Sequence, residues 1–459
     1  MLNKNIKIEI PKGVECIINN LQNNNYEAYI VGGAVRDSLL ERKVNDWDIT
    51  TSAKPQEVVN IFENLGYKII PTGLKHGTVT ILINSIGYEV TTFRIDGEYE
   101  DNRRPKEVKF TSNIEEDLKR RDLTINAMAY NDKTGLVDYF DGLEDLNNKI
   151  IRCVGNSKDR FNEDSLRMLR CIRFATQLNF HMEESTKLNI KELSRNITNV
   201  SMERIRDELC KILVSNKPVY GIKNIVESNL VDYIIPELKD CIGFEQYNIH
   251  HDKDVYGHIL SVVGNVPNKL ELRLAALLHD IAKPKCFSMG DNGQGHFYGH
   301  QKISADMTKD ILKRLKFDNK TIDKVDKLVY NHMTRYDKLR TPSIKKFINK
   351  VGIDNLDDLF ELQIADIKGS SKEYHNFDNV LNLKIKCEKI LREKQPLTVK
   401  ELDINGSDLI KLGINQGKEI GIMLNKLLDI VLENPNLNNK EDLIKIVIGE
   451  NNLKSNLSH

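Results

Sequence analysis

Two aspartates, Asp46 and Asp48, stand one residue apart and flank Trp47, the only tryptophan of the chain. If this stretch is a strand, its period of two places both carboxylates on one side while Trp47 faces the interior. Two anions at that spacing favour bound cations, and such carboxylates hold the Mg²⁺ ions of phosphoryl and nucleotidyl transfer. An Asp-x-Asp pair is a weak signal by itself, because most such pairs lie on solvated loops.

A glycine pair precedes the aspartates. Gly32 and Gly33 follow the apolar residues 29–31 and open a stretch of helical spacing that contains Arg36. Because glycine lacks Cβ, such a turn lets backbone N–H groups approach phosphate oxygens at the N-terminus of a helix. A tight turn without any ligand explains the glycines equally well. Together with the aspartates further on, however, the turn favours the binding of a nucleotide phosphate.

A second group of residues with metal-binding chemistry lies in the other half of the chain. His279 and Asp280 are adjacent at the end of an apolar helical run. Imidazole and carboxylate ligands suit Mn²⁺, Fe²⁺, Ni²⁺, Zn²⁺ or Mg²⁺, and residue order does not choose among these ions. A His-Asp dipeptide is nearly expected by chance in a chain of this length. The alternative is a helical domain whose histidines are merely packed.

The elements that must position these residues change character near residue 151. Before it, apolar spacing predicts a helix from Pro11 and strands at 29–31, 46–49, 79–83 and 89–93. Beyond it, helical periodicity continues to the end of the sequence. The expected fold class is therefore α+β, with a mixed α/β head and an all-α remainder. The expected domains are 1–150, 151–235, 236–380 and 381–459.

Size and composition limit the classes of function. The chain has 459 residues with 67 basic and 67 acidic side chains, so any nucleic-acid partner must meet a local patch rather than a net charge. Seven cysteines without a C-x-x-C pair argue against a disulfide framework and a zinc ribbon, and they favour a cytoplasmic location. No apolar run approaches the roughly 20 residues that cross a bilayer, so no membrane partner is expected.

The motifs GGAVRD at 32–37 and DWD at 46–48 together resemble the polymerase-β-like nucleotidyltransferases. Further motifs narrow the resemblance to the class II tRNA nucleotidyltransferases and their poly(A) polymerase relatives, and it spans nearly the whole chain. These motifs are TGLKHGT at 72–78, TTFR at 91–94, RRD at 120–122 and NAMA at 126–129. The family implies a polymerase-β-like head, a helical neck, body and tail, and addition of CMP, CMP and AMP from CTP and ATP to the tRNA 3′ end without a template, with release of pyrophosphate.

The resemblance assigns roles to residues of the head. Asp46 and Asp48 are expected to be catalytic and to bind Mg²⁺, and Glu89 is the candidate for a third catalytic carboxylate, although an exposed strand charge explains it equally well. A carboxylate that accepts a hydrogen bond from the 2′-hydroxyl would select ribonucleotides. The expected nucleotide-binding residues are Gly32, Gly33 and Arg36 at the triphosphate, and Arg121 and Asp122 at the ribose.

The nucleobase must be selected without a template, and EDSLR at 163–167 resembles the family's E-D-x-x-R. On a helix, the i, i+3 spacing presents Asp164 as an acceptor beside the donor fork of Arg167. This combination satisfies cytosine or adenine and mismatches uracil and guanine. Arg170 is grouped with the two as nucleotide-binding. Without the other motifs, such a pair is usually a surface salt bridge worth about 0.2 to 0.5 kcal/mol.

The His-Asp pair, with residues in the same order around it, resembles the HD phosphohydrolase superfamily. The resemblance implies a divalent transition metal or Mg²⁺, and phosphodiesterase or phosphatase activity in some members. Gln301 and Ile364 stand where Glu and Arg are usual, which argues against hydrolytic turnover more than against metal binding. The expected metal ligands are His258, His279, Asp280 and Asp366, with a second position completed by His300 and His332.

Several alternatives stay open within this reading. The segments 96–99 and 101–105 resemble the flexible loop of complete CCA-adding members, which favours complete addition over addition of the terminal A alone. GLKHGT stands where a bacterial poly(A) polymerase has a GRRF-type stretch, so poly(A) synthesis is less favoured. A hydrolase acting mainly through the HD site and a non-catalytic RNA-binding module are the competing classes.

The expected partners are CTP, ATP, the tRNA 3′ end and, at the C-terminal region, the tRNA elbow. Two local groups of basic residues, at 103–109 and at 160–173, are candidates for contacts with RNA phosphates, although such a run is more often a solvated face. The sequence leaves the oligomeric state open.

Overall fold

The computed structural model describes residues 2–3, 6–74, 77–97, 99–100, 104–105, 108–248, 252–291, 293–334, 339–393 and 395–456. The chain divides into two compact units, one of residues 1–239 with 314–316, and one of residues 240–313 with 317–459. Within the described ranges, none of the helices has the length and apolar composition that a membrane span requires. No disulfide joins any of the seven cysteines.

The first unit begins with a mixed sheet. The strands of this unit are β1 (Leu2–Asn3), β2 (Ala28–Val31), β3 (Ile49–Thr51), β4 (Lys68–Gly73), β5 (Thr78–Ile83), β6 (Ile86–Thr92), β7 (Arg94–Asp96), β8 (Tyr99–Glu100), β9 (Arg104–Pro105), β10 (Val108–Phe110), β11 (Met128–Asn131), β12 (Gly135–Asp138), β13 (Ile150–Ile151) and β14 (His181–Met182). In the described residues the main sheet has the order β1-β12-β11-β2-β3-β6-β5-β4. Its neighbours are antiparallel except β3 and β6, which are parallel and therefore begin at the same edge.

Helices cover this sheet and continue into the neck. They are α1 (Lys12–Asn23), α2 (Gly33–Leu39), α3 (Pro55–Asn64), α4 (Ile114–Lys119), α5 (Gly142–Asn147), α6 (Ser157–Glu163), α7 (Leu166–Leu178), α8 (Glu184–Leu193), α9 (Met202–Leu213), α10 (Pro218–Glu227) and α11 (Val231–Ile234). The predicted first helix is α1, which buries Val14, Ile17, Ile18 and Leu21. This spacing of three and four residues gives one apolar face against the head.

The second unit is largely helical. Its elements are α12 (Val255–Asn265), α13 (Leu270–Leu278), β15 (Phe287–Met289), β16 (Gly295–Phe297), α14 (His300–Arg314), α15 (Asn319–Asn331), α16 (Thr341–Val351), α17 (Leu356–Gly369), α18 (Asp378–Arg392), α19 (Gly406–Lys411), α20 (Lys418–Glu433) and α21 (Lys440–Asn456). All residues from Leu272 to Leu278 in α13 are buried, including Arg273, whose Nε donates to the carbonyl of Val266 at 3.2 Å.

The predicted α+β class, with a mixed head before a helical remainder, is confirmed. Two local predictions are wrong. The strand predicted at 46–49 begins only at Ile49, although the backbone of Asp48 still accepts a hydrogen bond from Val31 at 3.0 Å. The remainder is not purely α-helical, because β13 pairs with β14, and β15 with β16.

Candidate functional site

The turn between β2 and α2 requires a glycine at its first position. Gly32 has φ 72° and ψ −125°, a conformation that residues with a Cβ rarely adopt. A Cβ added there would lie 3.0 Å from Nη1 of Arg121. The N–H of Gly32 donates to the carbonyl of Met128 at 3.2 Å, so this amide belongs to the sheet. The amides that remain for a phosphate are those of the first turn of α2, beginning with Gly33.

The three predicted catalytic carboxylates line one cavity at the sheet edge. Asp46, Asp48 and Glu89 border a space of about 670 Å³. The parallel register pairs Ile49 with Val90, and this puts the preceding residues, Asp48 and Glu89, side by side. The two aspartates therefore share a cavity although they precede the strand. Trp47 between them is half-buried rather than buried, which corrects the expectation from alternation.

The charge in this cavity favours a cation. Asp48 is exposed at the cavity wall, but the surrounding protein partly desolvates its carboxylate and raises its pKa; the charge of Arg121 opposes that shift, and the neighbouring charge of Asp46 adds to it. The three carboxylates are nevertheless not gathered tightly. Among the described residues, groups of three or more His, Cys, Asp or Glu whose ligand atoms lie within 4.8 Å of one another occur only in the second unit.

Arg121 stands between this cavity and the glycine turn, held by a carboxylate that sequence reasoning missed. Asp117 of α4 is fully buried and accepts from Arg120 at 2.8 Å and from Arg121 at 3.4 Å. Burial raises the pKa of Asp117, but the charges of the two arginines outweigh it and keep the pKa below its ordinary value. The i, i+3 and i, i+4 spacing from Asp117 to these arginines was the available signal.

The second candidate site gathers all six predicted HD ligands in two overlapping groups. His258, His279, Asp280 and Asp366 form one, and Asp280, His300 and His332 form the other. Within each group, ligand atoms lie within 4.8 Å of one another, and every residue is buried. Because Asp280 belongs to both groups, the six residues could hold two divalent ions, with Asp280 available to either.

Backbone carbonyls set the imidazole tautomers in this cluster. Nδ1 of His279 lies 2.9 Å from the carbonyl of Ala276, and Nδ1 of His332 lies 2.6 Å from that of Val329. His300 makes the same contact to Phe297 at 2.7 Å. A carbonyl only accepts, so each Nδ1 carries the hydrogen and each Nε2 presents a lone pair.

These lone pairs face one another. Nε2 of His258 lies 3.3 Å from the lone-pair nitrogen of His279, and Nε2 of His300 and Nε2 of His332, which both carry lone pairs, are also 3.3 Å apart. Two such lone pairs at this separation repel unless a cation lies between them. Burial lowers the pKa of His258 and of His332 to about 3, so both rings are neutral at physiological pH, as metal ligands must be. The donor set therefore fits divalent metal.

Local features of the helices bring the ligands together. Asp254 caps α12 by accepting from the N–H of Gly257 at 2.7 Å, one residue before His258. At the end of α17, a Cβ on Gly369 would lie 2.8 Å from Val262 and 3.2 Å from the ring of His258. Glycine at this position therefore permits the close approach of α17 to α12 that places Asp366 2.9 Å from His258.

Comparison with known proteins identifies the family of the chain. Residues 28–152 match the Poly A polymerase head domain, residues 179–242 match the RNA and SrmB binding site of polymerase A, and residues 250–367 match the HD domain. A CCA-adding enzyme of Ligilactobacillus salivarius is 34% identical over 453 residues, which are 97% of this chain and 98% of the relative. The chain belongs to the CCA-adding enzyme family.

Solved structures of the family share the fold. The crystal structure of the Bacillus stearothermophilus CCA-adding enzyme in complex with CTP has a TM-score of 0.70 at 27% identity and covers 96% of this chain and 98% of its own. The Thermotoga maritima CCA-adding enzyme complexed with tRNA has a TM-score of 0.57 at 22% identity, with 97% of each chain covered. The resemblance inferred from the motifs, to a nucleotidyltransferase with an HD domain, is confirmed.

Arg36, expected at the triphosphate, and Asp122, expected at the ribose, belong to one hydrogen-bond network. Asp122 accepts from Nε of Arg170 at 2.7 Å and from Asn126 at 3.2 Å, and Asn126 accepts from Arg36 at 2.6 Å. Burial alone would raise the pKa of Asp122, but the charge and hydrogen bond of Arg170 outweigh it and lower the pKa to about 2. Three of the predicted nucleotide-binding residues, Arg36, Asp122 and Arg170, are thus linked, and Asn126 connects Arg36 to Asp122.

The expected base-selecting pair does not lie on one helical face. Asp164 is the extended residue between α6 and α7, and its side chain accepts from the N–H of Leu166 at 3.1 Å. An aspartate favours such a position because it can satisfy an amide at a helix start. Asp164 pairs with Arg204 at 2.7 Å, and Arg167 with Glu163 at 2.7 Å, so the two do not form the simple salt bridge considered as the alternative.

The neck arginines expected to face RNA phosphates are paired with carboxylates instead. Arg160 pairs with Glu163, Arg170 with Asp122 at 2.6 Å, and Arg173 with Glu208 at 2.5 Å. Helical packing turned these side chains inward, where charges require partners. Of the other basic group, Arg103 and Lys106 lie outside the described residues, as do Glu98 and Asp101 to Arg103 of the expected loop and Lys75 and His76 of GLKHGT.

Proposed function

We propose that this chain completes the 3′ end of tRNA by adding CMP, CMP and AMP from CTP and ATP without a nucleic-acid template. The observation that carries this proposal is the shared cavity of Asp46, Asp48 and Glu89 beside the Gly32 turn, in a member of the CCA-adding enzyme family. In the reaction the tRNA 3′-oxygen bonds to the α-phosphorus in line, the α–β phosphoanhydride bond breaks, and pyrophosphate leaves with the electron pair.

Asp46 and Asp48 are the proposed holders of Mg²⁺, and Glu89 is the additional carboxylate beside them. Their fit to the ion rests on the three carboxylates that border one cavity, because carboxylate oxygens are the ligands that Mg²⁺ prefers. Bound there, Mg²⁺ would neutralise the triphosphate and the developing charge on the attacking and leaving oxygens.

The chain's own residues then bind and orient the nucleotide. Gly33 and the next amides of α2 are proposed to receive phosphate oxygens, with Arg36 supplying positive charge near them. Arg121, between Asp48 and Gly32, is proposed to lie at the ribose together with Asp122. Because Asp117 is fully buried and pairs with Arg121 at 3.4 Å, its proposed role is that of a positioning residue rather than a catalytic one.

Base selection is assigned to Asp164 and Arg167, with Arg170 in support. Arg204 holds Asp164 in place, and Glu163 holds Arg167. Asp164 and Arg167 can each form further hydrogen bonds, because a carboxylate offers about four lone-pair sites and a guanidinium five N–H donors. A base that presents an amino donor beside an acceptor satisfies both side chains, as cytosine and adenine do. Pre-paired side chains cost less conformational entropy on binding.

The tRNA is the proposed macromolecular partner, with its elbow on the helices beyond residue 380. We also propose domain boundaries at 150, 235 and 380 and a cytoplasmic site of action.

The deciding experiment incubates purified protein with tRNA that lacks its terminal CCA and with each labelled nucleoside triphosphate. Addition of two CMP and one AMP supports the proposal. Addition of AMP only to tRNA ending in CC identifies an A-adding enzyme, and unlimited AMP addition a poly(A) polymerase.

A second activity is favoured by the ligand groups around Asp280. We propose a phosphomonoesterase or phosphodiesterase there, served by two divalent ions held by the six HD ligands. The ions would activate water and polarise a phosphate. Lys283, whose Nζ lies 2.7 Å from Asp280, contributes a buried positive charge beside the same ligands. The test is phosphate release that survives Asp46→Ala and is lost in His279→Ala.

A further inference from the structure

The cavity lined by the three candidate catalytic carboxylates extends beyond them to residues with a different chemistry. Trp47, Ile86 and Pro11 also border its space of about 670 Å³. None of the predicted nucleotide-binding residues, all of which the structure describes, borders it. A volume of this size falls within the range of small-molecule sites, so the cavity has room for a nucleoside.

Nucleotidyl transfer requires two substrates on opposite sides of the metal-holding carboxylates. In an in-line displacement, the attacking 3′-oxygen and the leaving pyrophosphate lie on opposite sides of the α-phosphorus, and the metal ions clamp both. The nucleoside triphosphate is assigned to the side of Arg121, whose charge acts on Asp48 and whose Nη1 would lie 3.0 Å from a Cβ on Gly32. The cavity is therefore the space from which the attacking 3′-oxygen approaches.

The lining of the cavity suits a base and a ribose better than a triphosphate. Among the described residues that border it, none is Lys, Arg or His, so a triphosphate there would meet the carboxylates without a protein cation. Trp47 is half-buried and Ile86 is 56% exposed, so an aromatic and an aliphatic side chain are available to a ligand. Asn45 adds an amide that donates and accepts hydrogen bonds.

The RNA end changes during the proposed addition. Its last base is that of the tRNA before the first CMP is added, and it is cytosine before each of the next two additions. A site that recognised the last base by fixed hydrogen bonds would reject one of these ends. A stacking surface accepts both, because every base has a π face.

The residues around this surface are held in place by the sheet. Asn84 and Ser85 join β5 to β6 with φ of 51° and 66°, both positive, as a tight two-residue hairpin turn requires, and Ile86 follows directly. Tyr88 of the same strand packs against the start of α1, where a Cβ on Gly13 would lie 2.6 Å from its hydroxyl oxygen. The wall of the cavity is therefore formed before any ligand arrives.

We infer that Trp47 and Ile86 form the binding surface for the 3′-terminal nucleoside of the tRNA, with its base stacked on Trp47. The inference rests on the proposed function and adds the position of the second substrate. It brings the terminal 3′-hydroxyl close to Asp46 and Asp48, the neighbours of Trp47 in the chain. The same three-residue segment then serves both the metal ions and the RNA end.

Trp47 is the only tryptophan of the chain, so its fluorescence reports the proposed contact directly. In the test, tRNA that lacks its terminal CCA is added to the wild-type full chain without nucleoside triphosphate. A stacked base should quench the emission of Trp47. The matched RNA, identical except that its last nucleotide is abasic, should leave the emission unchanged. CTP with Mg²⁺ should also leave it unchanged, because the triphosphate binds on the other side of the carboxylates.

Steady-state kinetics supply the second readout. Loss of one stacking contact should raise the KM for tRNA about tenfold in Trp47→Ala, with kcat and the KM for CTP unchanged. Trp47→Phe retains an aromatic ring and should stay near the wild-type values, and Ile86→Ala should raise the KM for tRNA by less. Leu65→Ala is the matched control for Ile86, because Leu65 is 50% exposed in the same unit and does not border the cavity.

Equal quenching by the abasic RNA, or quenching by CTP alone, would overturn the inference. A rise in the KM for CTP without a rise in the KM for tRNA in Trp47→Ala would do the same. If wild-type protein adds nucleotides to tRNA without base-dependent quenching, this inference fails and the proposed function stands. If base-dependent quenching occurs without nucleotide addition, the proposed function fails, and the cavity remains a binding site for an RNA end.

Discussion

The two candidate sites are built in opposite ways. In the head, Asp46 and Asp48 are exposed carboxylates on the wall of an open cavity, without a tight ligand set around them. In the second unit, six ligands are buried and gathered, and carbonyls orient three of the imidazoles. Mg²⁺ is commonly held by one or two carboxylates together with substrate phosphates, whereas imidazole sets retain transition ions without substrate. On the proposed functions, we therefore expect the head to need its nucleotide to complete the metal site, and the HD site to hold its metal without substrate.

The largest expected effect concerns the head. Asp46→Ala and Asp48→Ala should each reduce CMP incorporation into tRNA by about 1,000-fold, because several kcal/mol of charge stabilisation are lost. Phosphate release at the HD site should stay at the wild-type level. Glu63→Ala, which removes an exposed carboxylate elsewhere in the head, should have no effect. If both aspartate variants still incorporated CMP at the wild-type rate, the head cavity would not be the nucleotidyltransferase site.

The second prediction concerns the HD site, whose ligands are already gathered without an ion. His279→Ala removes one of the buried ligands and should weaken retention of the HD metal by at least about 100-fold, while nucleotide addition continues. Metal content after gel filtration, measured by elemental analysis, reports this directly. His181→Ala, at an exposed histidine of the first unit, should leave the metal content unchanged. Equal metal content in the His279 variant would show that the cluster is packed histidine rather than a binding site.

Lowering the pH should reduce the stability that the buried ion pairs of the first unit contribute, and we expect no such effect from the neutral imidazoles of the second unit. The folded pKa of Asp122 is lowered to about 2, below an unfolded value near 3.9, so its contribution to stability is present above that value and is lost as pH falls toward 2. The contribution amounts to roughly 2.5 kcal/mol. Urea unfolding between pH 5 and pH 3 should therefore show a shallower loss of stability in Asp122→Asn than in wild type. Parallel curves would contradict the assignment.

The smallest effect tests the glycine turn. Gly32→Ala introduces strain of about 1–3 kcal/mol and brings a Cβ to 3.0 Å from Arg121, so the KM for CTP should rise. Gly66 has a similar φ of 79° but has no atom near an added Cβ. Gly66→Ala should therefore lower stability without changing KM. If both variants leave KM unchanged, the turn does not contribute to nucleotide binding.

Most of the chemistry could be read from residue types and order. GGAVRD, DWD and RRD pointed to the nucleotidyltransferase family, and the six HD ligands, given in order by the resemblance, do converge in space. The roles of the individual head residues remain predictions that the variants above address. The local geometry was harder to predict, because Asp46 and Asp48 precede the strand, and Asp164 interrupts the helix on which Arg167 was placed.

The sequence by itself determined the family, the fold class and the residues that supply carboxylates, imidazoles and guanidinium groups. Only the tertiary structure decided which charges neutralise one another: Asp117 with Arg121, Asp122 with Arg170, and Asp164 with Arg204 rather than with Arg167. The physical reason is that periodicity specifies which face of a helix is apolar, whereas burial forces each charged group to find a partner. That partner is set by how distant helices pack, and spacing along the chain does not encode it.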